Sequence, residues 1–264
     1  MSIQAISLWD QVAFGSVPGI NSVFINGNNG AITTTFEPIW PESAAYTPLA
    51  TAMSTPYIAS SSANDAAAGT GARTVRVTGV NTSYAAFTED LTLNGQTSVN
   101  LVTTNVLFIN SITVLTAGSG FTNAGIIRIG TGVNTAGVPA VVHAHMAAGF
   151  SKTQTAMYFV PANKTLLLRN LTASSYGVTA AQTVQVVADK YTNPVPDKVY
   201  TREFIGTINQ GGSSVFNYAG TIKVPEKTLV MFQALSAAST GPVVFQAEGL
   251  LIDYGSANSL QGFF

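Results

Sequence analysis

The sequence predicts an all-β protein: two β-sandwich, jelly-roll-like domains preceded by an extended N-terminal arm. Three observations carry that expectation. Short runs rich in Val, Ile, Leu and Thr recur along most of the chain, separated by Gly, Asn, Pro and Ser, and such regular spacing is the pattern of sandwiches and barrels. Helical periodicity is absent over any stretch of helical length. The 264 residues are 46% hydrophobic, enough to bury real cores, and too apolar for a disordered chain.

The arm is read over residues 1–45. "SVPGINSVFINGNNGAITTTFEPIWPES" is broken by Pro, Gly and Asn every few residues and carries isolated aromatics at Phe24, Phe36 and Trp40. It has too few apolar residues for a core of its own. It suits a strap laid along another surface, with one hairpin at "FINGNNGAI". Packing as edge strands on the first domain is the competing reading.

The first sandwich is placed at residues 46–142. "RTVRVTGV" sets Val75 and Val77 on one face and Arg76 and Thr78 on the other. "EDLTLNGQTSV" does the same for Leu91 and Leu93, and its Asn94-Gly95 is a strong hairpin signal because both residues tolerate positive φ. "VLFINSITVLTAGSG" and "AGIIRIGTG" supply further strands. The second sandwich, 143–264, repeats the style. "TAMYFVPANKTLLLRNLTA" gives two runs joined at Pro161-Ala162-Asn163, and "TLVMFQALSA" and "VVFQAEGLLIDY" close the set.

Charge narrows the function. Asp, Glu, Lys and Arg make up 9% of the chain, with eleven basic and twelve acidic groups, against roughly 25% in ordinary soluble domains. A neutral surface does little to hold identical copies apart, and interface cores are depleted in charge. The chain therefore suits a subunit covered by neighbours, including copies of itself. Nucleic acid is not an expected partner, since no Lys/Arg cluster is present to meet phosphates. Neither is a membrane, because no apolar run approaches a spanning length. The absence of cysteine removes disulfides and thiol chemistry. "MSIQAISLWD" lacks a signal-peptide pattern, so synthesis in a cytoplasm is expected and the sequons at Asn81, Asn163 and Asn170 should stay unmodified.

Several segments imitate functional motifs. "SSSANDAAAGTGARTVRVTG", residues 60–79, resembles a phosphate loop. It has no lysine after its glycines, and it precedes a strand where phosphate loops follow one and open a helix. It reads as a turn built on Asn64 and Asp65. His143 and His145 would share one strand face as metal ligands sometimes do, but no carboxylate lies nearby in sequence, and a structural role is the stronger reading. No G-x-S-x-G elbow accompanies them. Glu89 and Asp90 alternate faces of one strand and do not converge as a glycosidase pair must. No catalytic residue, cofactor or metal is expected. The terminal Phe263 and Phe264 are read as inserting into a neighbouring subunit or as packing back on their own domain.

The block "SSSANDAAAGTGARTVRVTGVN", with its L-N-G, T-A-G-S-G and N-x-G-x-I turns, resembles virion structural proteins of tailed bacteriophages. "YFVPANKTLLLRNL" and "IKVPEKTLVMFQA" resemble the second half of that family, with Asn163 where glycine is usual. The likeness covers roughly residues 36–252 and leaves the first 35 unmatched. It implies a non-enzymatic protein on the capsid surface of a virion: a decoration or cement protein, or a fibre, working as a homo-oligomer with a trimer as the expected state. Its partners would be itself and the major capsid protein or other virion proteins. Phe24, Phe36, Trp40, Phe263 and Phe264 are the expected assembly residues, and deleting residues 1–35 should leave the domains folded but abolish capsid binding. The competing reading is a receptor- or carbohydrate-binding fibre module with an aromatic platform from Tyr176, Tyr191, Tyr200 and Tyr218.

Overall fold

The computed structural model describes residues 7–42, 46–175, 183–191, 200–209, 214–218, 221–236 and 240–254, with the strands within 183–218 described by backbone alone. In chain order these hold α1 (Leu8–Ala13), β1 (Ile20–Ile32), β2 (Glu37–Pro38), β3 (Tyr57–Ser60), β4 (Ala72–Asn81), β5 (Ala86–Thr92), β6 (Val99–Asn100), β7 (Val106–Ala117), β8 (Ile127–Thr135) and β9 (Val138–Met146). There follow β10 (Met157–Val160), β11 (Lys164–Ser175), β12 (Thr183–Tyr191), β13 (Tyr200–Asn209), β14 (Ser214–Tyr218), β15 (Ile222–Val224), β16 (Thr228–Ser236) and β17 (Gly241–Asp253). The protein is all-β, and the described pairings are antiparallel.

The strands form where alternation lets one face meet a core. In β4, Val75 and Val77 are fully buried, while Arg76 turns outward and makes a bidentate pair with Asp90 directly across on β5. That pair is half exposed and sets register more than it adds stability. The three-stranded sheet β5-β4-β7 faces the four-stranded sheet β6-β3-β8-β9. Between them lie Ile58, Val75, Val77, Leu91, Ile112, Ile127 and Ile129.

A second sandwich stacks β1-β17-β11-β14, with β15 also on β11, against β10-β16-β12-β13, with β2 also on β16. Its core is built from Ile25, Ile32, Leu166, Leu168, Val230 and Phe232, among others, with Phe232 and Phe245 stacked at 4.2 Å. The helix α1, N-capped by Ser7, covers the outer side of this sheet through Val12 against Ile20, Leu250 and Ile252.

Three sequence expectations change here. Within the segment read as an arm, the described strands Ile20–Ile32 and Glu37–Pro38 are neither free nor an edge of the first sandwich. Residues Ile20–Asn29 pair with Ile252–Val243 as the edge strand of the second. No hairpin forms at "FINGNNGAI", because the chain runs through it as one strand, Ile20–Ile32, paired with β17. A bulge between Asn29 and Ile32 instead resets the alternation, so that Ile25 and Ile32 both reach the core. Gly27 is required by close approach: a Cβ there would stand 2.5 Å from the Ala156 Cβ and the Ile39 carbonyl oxygen. Second, the boundary read at residue 143 falls inside β9, which continues to Met146. The first sandwich is thus an insertion within the second, leaving it after Ile39 and returning at Ala156, where the Ala156 N–H donates to the Ile39 carbonyl. Third, Asn94-Gly95 carries the chain from β5 to β6 in the opposite sheet and joins no hairpin. A two-residue hairpin turn with two positive φ values lies at Ala136-Gly137, between β8 and β9.

The sandwiches share a third apolar cluster. Trp40, Tyr46, Phe108, Phe159, Leu229 and Met231 pack there, with edge-on contacts from Tyr46 to Trp40 at 5.6 Å and to Phe108 at 5.8 Å. Asn110 on β7 donates to the Phe159 carbonyl at 3.0 Å and accepts from the Phe159 N–H at 2.8 Å. These two hydrogen bonds tie β7 to β10 across the seam.

Candidate functional site: a polar cleft between the sandwiches

The glycine-rich segment at 60–79 is a closed turn. Asp65 is fully buried. Its carboxylate accepts from the Ser60 hydroxyl at 2.6 Å and from the N–H groups of Ala72, Ala124 and Gly125 at 2.7–2.8 Å. The protein's own carboxylate sits where an anion would sit in a phosphate loop. Gly71 allows this, since a Cβ there would come within 2.1 Å of Asp65 Oδ1.

His143 and His145 lie on the same side of β9 with different partners. His145 Nδ1 and Arg128 Nε each meet Glu42 Oε1 at 2.6 Å, and Arg128 faces His145 in the β8–β9 register. Burial pushes the Glu42 carboxyl up, but hydrogen bonds and charge from His145 and Arg128 outweigh it and bring it down to about 2. The group latches the incoming N-terminal segment to the first sandwich. His143 meets Thr131 Oγ1 at 3.3 Å, and burial pushes its imidazole down to about 4. Among the described residues no group of three or more His, Asp or Glu is placed to hold a metal. Glu89 accepts from the N–H groups of Val102 and Thr103, and Asp90 pairs with Arg76, so these neighbours diverge as their strand alternation dictates.

The expected assembly residues separate. Trp40 is only 2% exposed and belongs to the seam between sandwiches, which removes it from any intermolecular surface. Phe36 is half-buried, while Phe24 stays 43% exposed. Phe263, Phe264 and Tyr176 lie outside the described residues, as do the side chains of Tyr191, Tyr200 and Tyr218. Phe121 and Phe150 project at 86% and 61% exposure from loops tied together by Asn123. Asn123 holds the Ala147 carbonyl and the Ser151 N–H.

A polar cleft lies where β1 meets the segment returning from the first sandwich. Phe24, Asn26 and Asn28 occupy alternate positions of β1, and Phe150, Lys152 and Gln154 occupy alternate positions of the return. Asn26, Asn28, Phe150, Lys152, Gln154 and Gln246 line a cavity of about 450 Å³. A second cavity of about 250 Å³ shares Asn26 and Lys152 with it and runs past Phe24 to the hydroxyls of Thr78, Ser111 and Thr113. The Lys152 ammonium stands 5.4 Å from the centre of the Phe24 ring.

In the residues that line this cleft, three amide oxygens, Asn26 Oδ1, Asn28 Oδ1 and Gln154 Oε1, are sealed from solvent and have no hydrogen-bond partner within the chain. An unmet buried acceptor costs about 1–3 kcal/mol, and native proteins keep few of them. Three of them belong to residues around one cavity. Sequence reasoning missed it because its two halves stand far apart in the chain and neither matches a known motif. The available signal was a pair of Asn residues at strand spacing on one face.

No family model matches the chain, and no curated protein matches it. Among solved structures it is similar to T=1 particles derived from infectious bursal virus, at 11% identity over 90% of this chain and 70% of that one, with a TM-score of 0.27. It is also similar to the VP2 subviral particle of infectious bursal disease virus, at 10% identity over 89% and 72%, with a TM-score of 0.26. Likeness of this degree carries no weight for function, which rests on the residues of this chain.

Proposed function

We propose that the protein is a non-enzymatic structural subunit of a virion, of the tailed-phage kind that residues 60–130 resemble, covering or cementing the capsid surface as a homo-oligomer. The observation that carries this reading is a charge-poor surface with large apolar side chains at its loop tips. Only 9% of residues are charged, yet Phe14, Val102, Phe121 and Phe150 project outward. Burying one such side chain against a neighbour is worth roughly 1.5–3 kcal/mol, and repetition on a lattice multiplies a modest contact. The seam supports the reading, because a body with one shared core transmits load without a hinge.

Light scattering after size exclusion tests it. The expected result is an oligomer that persists from low to high salt, since apolar contacts are not screened. Phe121→Ser should reduce its mass while leaving the β circular-dichroism spectrum of the folded chain unchanged, with a melting temperature lowered to that of the free subunit. A monomer at every concentration and salt contradicts the proposal.

A further inference from the structure

We infer that the free edge of β1 over residues 22–26 is a docking site for an extended acidic peptide of a partner protein, which adds to the sheet as one more strand. The hydrogen-bond register says which groups are open. The Asp253 N–H donates to the Gly19 carbonyl at 2.9 Å, one step before the Ile20–Ile252 pair. Bonded pairs alternate along an antiparallel ladder, so Asn21, Val23 and Ile25 direct their backbone groups to β17. The N–H and C=O of Ser22, Phe24 and Asn26 then point away from it. On the other side of β17, the Tyr254 N–H bonds to the Asn163 carbonyl, which fixes the complementary alternation toward β11. β1 ends its sheet, and Ser22 and Phe24 are exposed. Among the described residues no backbone hydrogen bond reaches these outward groups.

Open edges are ordinarily guarded by charge, proline, a bulge, brevity or cover. The neighbouring edges follow that rule. β5 carries Glu89 and Asp90, β6 has only two residues, and β9 has Pro139 and a bulge. β7 is covered by residues 151–153, and β10 by the Asn110 amide. Residues 20–26 of β1 hold no charge and no proline. They open onto the groove of about 250 Å³, lined across from β1 by Asn110 and the hydroxyls of Thr78, Ser111 and Thr113. An inserted strand meets β1 backbone on one edge, and on the other it meets hydroxyls that donate and accept. Its side chains alternate between two faces. Those on the Ile25 face meet Met157 and Tyr158. Those on the Phe24 face meet Lys152, whose ammonium stands 5.4 Å from the centre of the Phe24 ring. Lys152 is the only charged side chain among the described residues lining the groove, so a carboxylate is its complement. The groove's volume admits a single strand and excludes a second β1, which brings its own sandwich walls with it. The site does not depend on the virion reading, and an oligomer without peptide binding, or the reverse, separates the two.

The test uses the full chain. Amide hydrogen exchange of the free protein should show Asn21, Val23 and Ile25 protected and Ser22, Phe24 and Asn26 fast. A displayed library of random peptides panned on it should yield sequences with an Asp or Glu among small and β-branched residues. A synthetic peptide of that kind should slow exchange at Ser22 and Phe24. N-methylating alternate residues of the peptide should abolish binding for one set and weaken it far less for the other, because only one edge of the strand meets β1. Those peptides test the mode on the unaltered protein. Ser22→Pro removes an outward N–H at an edge position where proline is tolerated, so it should weaken binding roughly tenfold, and Ser22→Ala should leave it unchanged. Lys152→Gln should weaken it roughly threefold and remove its salt dependence. Enrichment of no peptide would overturn the inference, as would binding that survives Ser22→Pro and responds equally to both methylated sets. So would protection of Ser22 and Phe24 in the free chain that rises with protein concentration, the sign of a second copy on the edge.

Discussion

Replacing Asp65 with Ala is expected to remove at least roughly 4 kcal/mol of folding free energy, taking four unmet buried donors at about 1–3 kcal/mol each. The substitution strands three backbone N–H groups, at Ala72, Ala124 and Gly125, together with the Ser60 hydroxyl. These donors come from three separate segments, so the carboxylate pins the start of β4, the end of β3 and the loop before β8 at one point. Domains are stable by only about 5–15 kcal/mol, and a loss of this size leaves the first sandwich marginal. Asp65→Asn should fall between, because its amide oxygen still serves one pair of donors while its NH₂ faces the other. Equilibrium denaturation measures both variants. A loss within about 0.5 kcal/mol for Asp65→Ala, the range of a typical surface change, contradicts the pinning role.

Deleting residues 1–35 is expected to unfold the second sandwich, in place of the clean removal of an arm that the sequence alone suggests. The deletion strips β1 from β17 along Ile20–Asn29 and takes Ile25 and Ile32 out of the core. The two isoleucines alone are worth about 3–6 kcal/mol of burial. Their loss also bares the edge of β17, a template for aggregation. Hydrogen exchange should show β11 and β17 losing protection while β4, β7 and β8 keep theirs. A truncated chain that stays soluble with unchanged protection in β17 would contradict the edge-strand role.

The parts of the fold legible in the sequence are those fixed by neighbours in the chain. Val75 and Val77 announce β4 because strand alternation is a local property, and Pro161-Ala162-Asn163 announces a turn whose Asn163 takes a φ of 62°. Asp65 is legible as a turn residue among glycines, but the two N–H groups it gathers from Ala124 and Gly125 are not, since they come from a distant loop. The pairing of β1 was hidden for a related reason. Asn and Gly are poor strand formers, and the segment "INGNNG" is a strand because β17, from the other end of the chain, supplies its hydrogen bonds. Trp40 looked like an anchor because it stands alone among turn residues. It is an anchor, within the chain, across the seam. The cleft was the least legible feature. Asn26, Asn28 and Gln154 are ordinary polar residues in sequence, and only the insertion of one sandwich into the other turns their amide oxygens into one unmet cluster.

The most direct measurement is quantitative mass spectrometry of density-purified particles from cells that produce this chain. A structural subunit on a capsid lattice is expected in many copies per particle, in fixed ratio to the major capsid protein, and accessible to antibody on intact particles. Its absence from particles, or its presence only in traces that vary between preparations, would contradict the account.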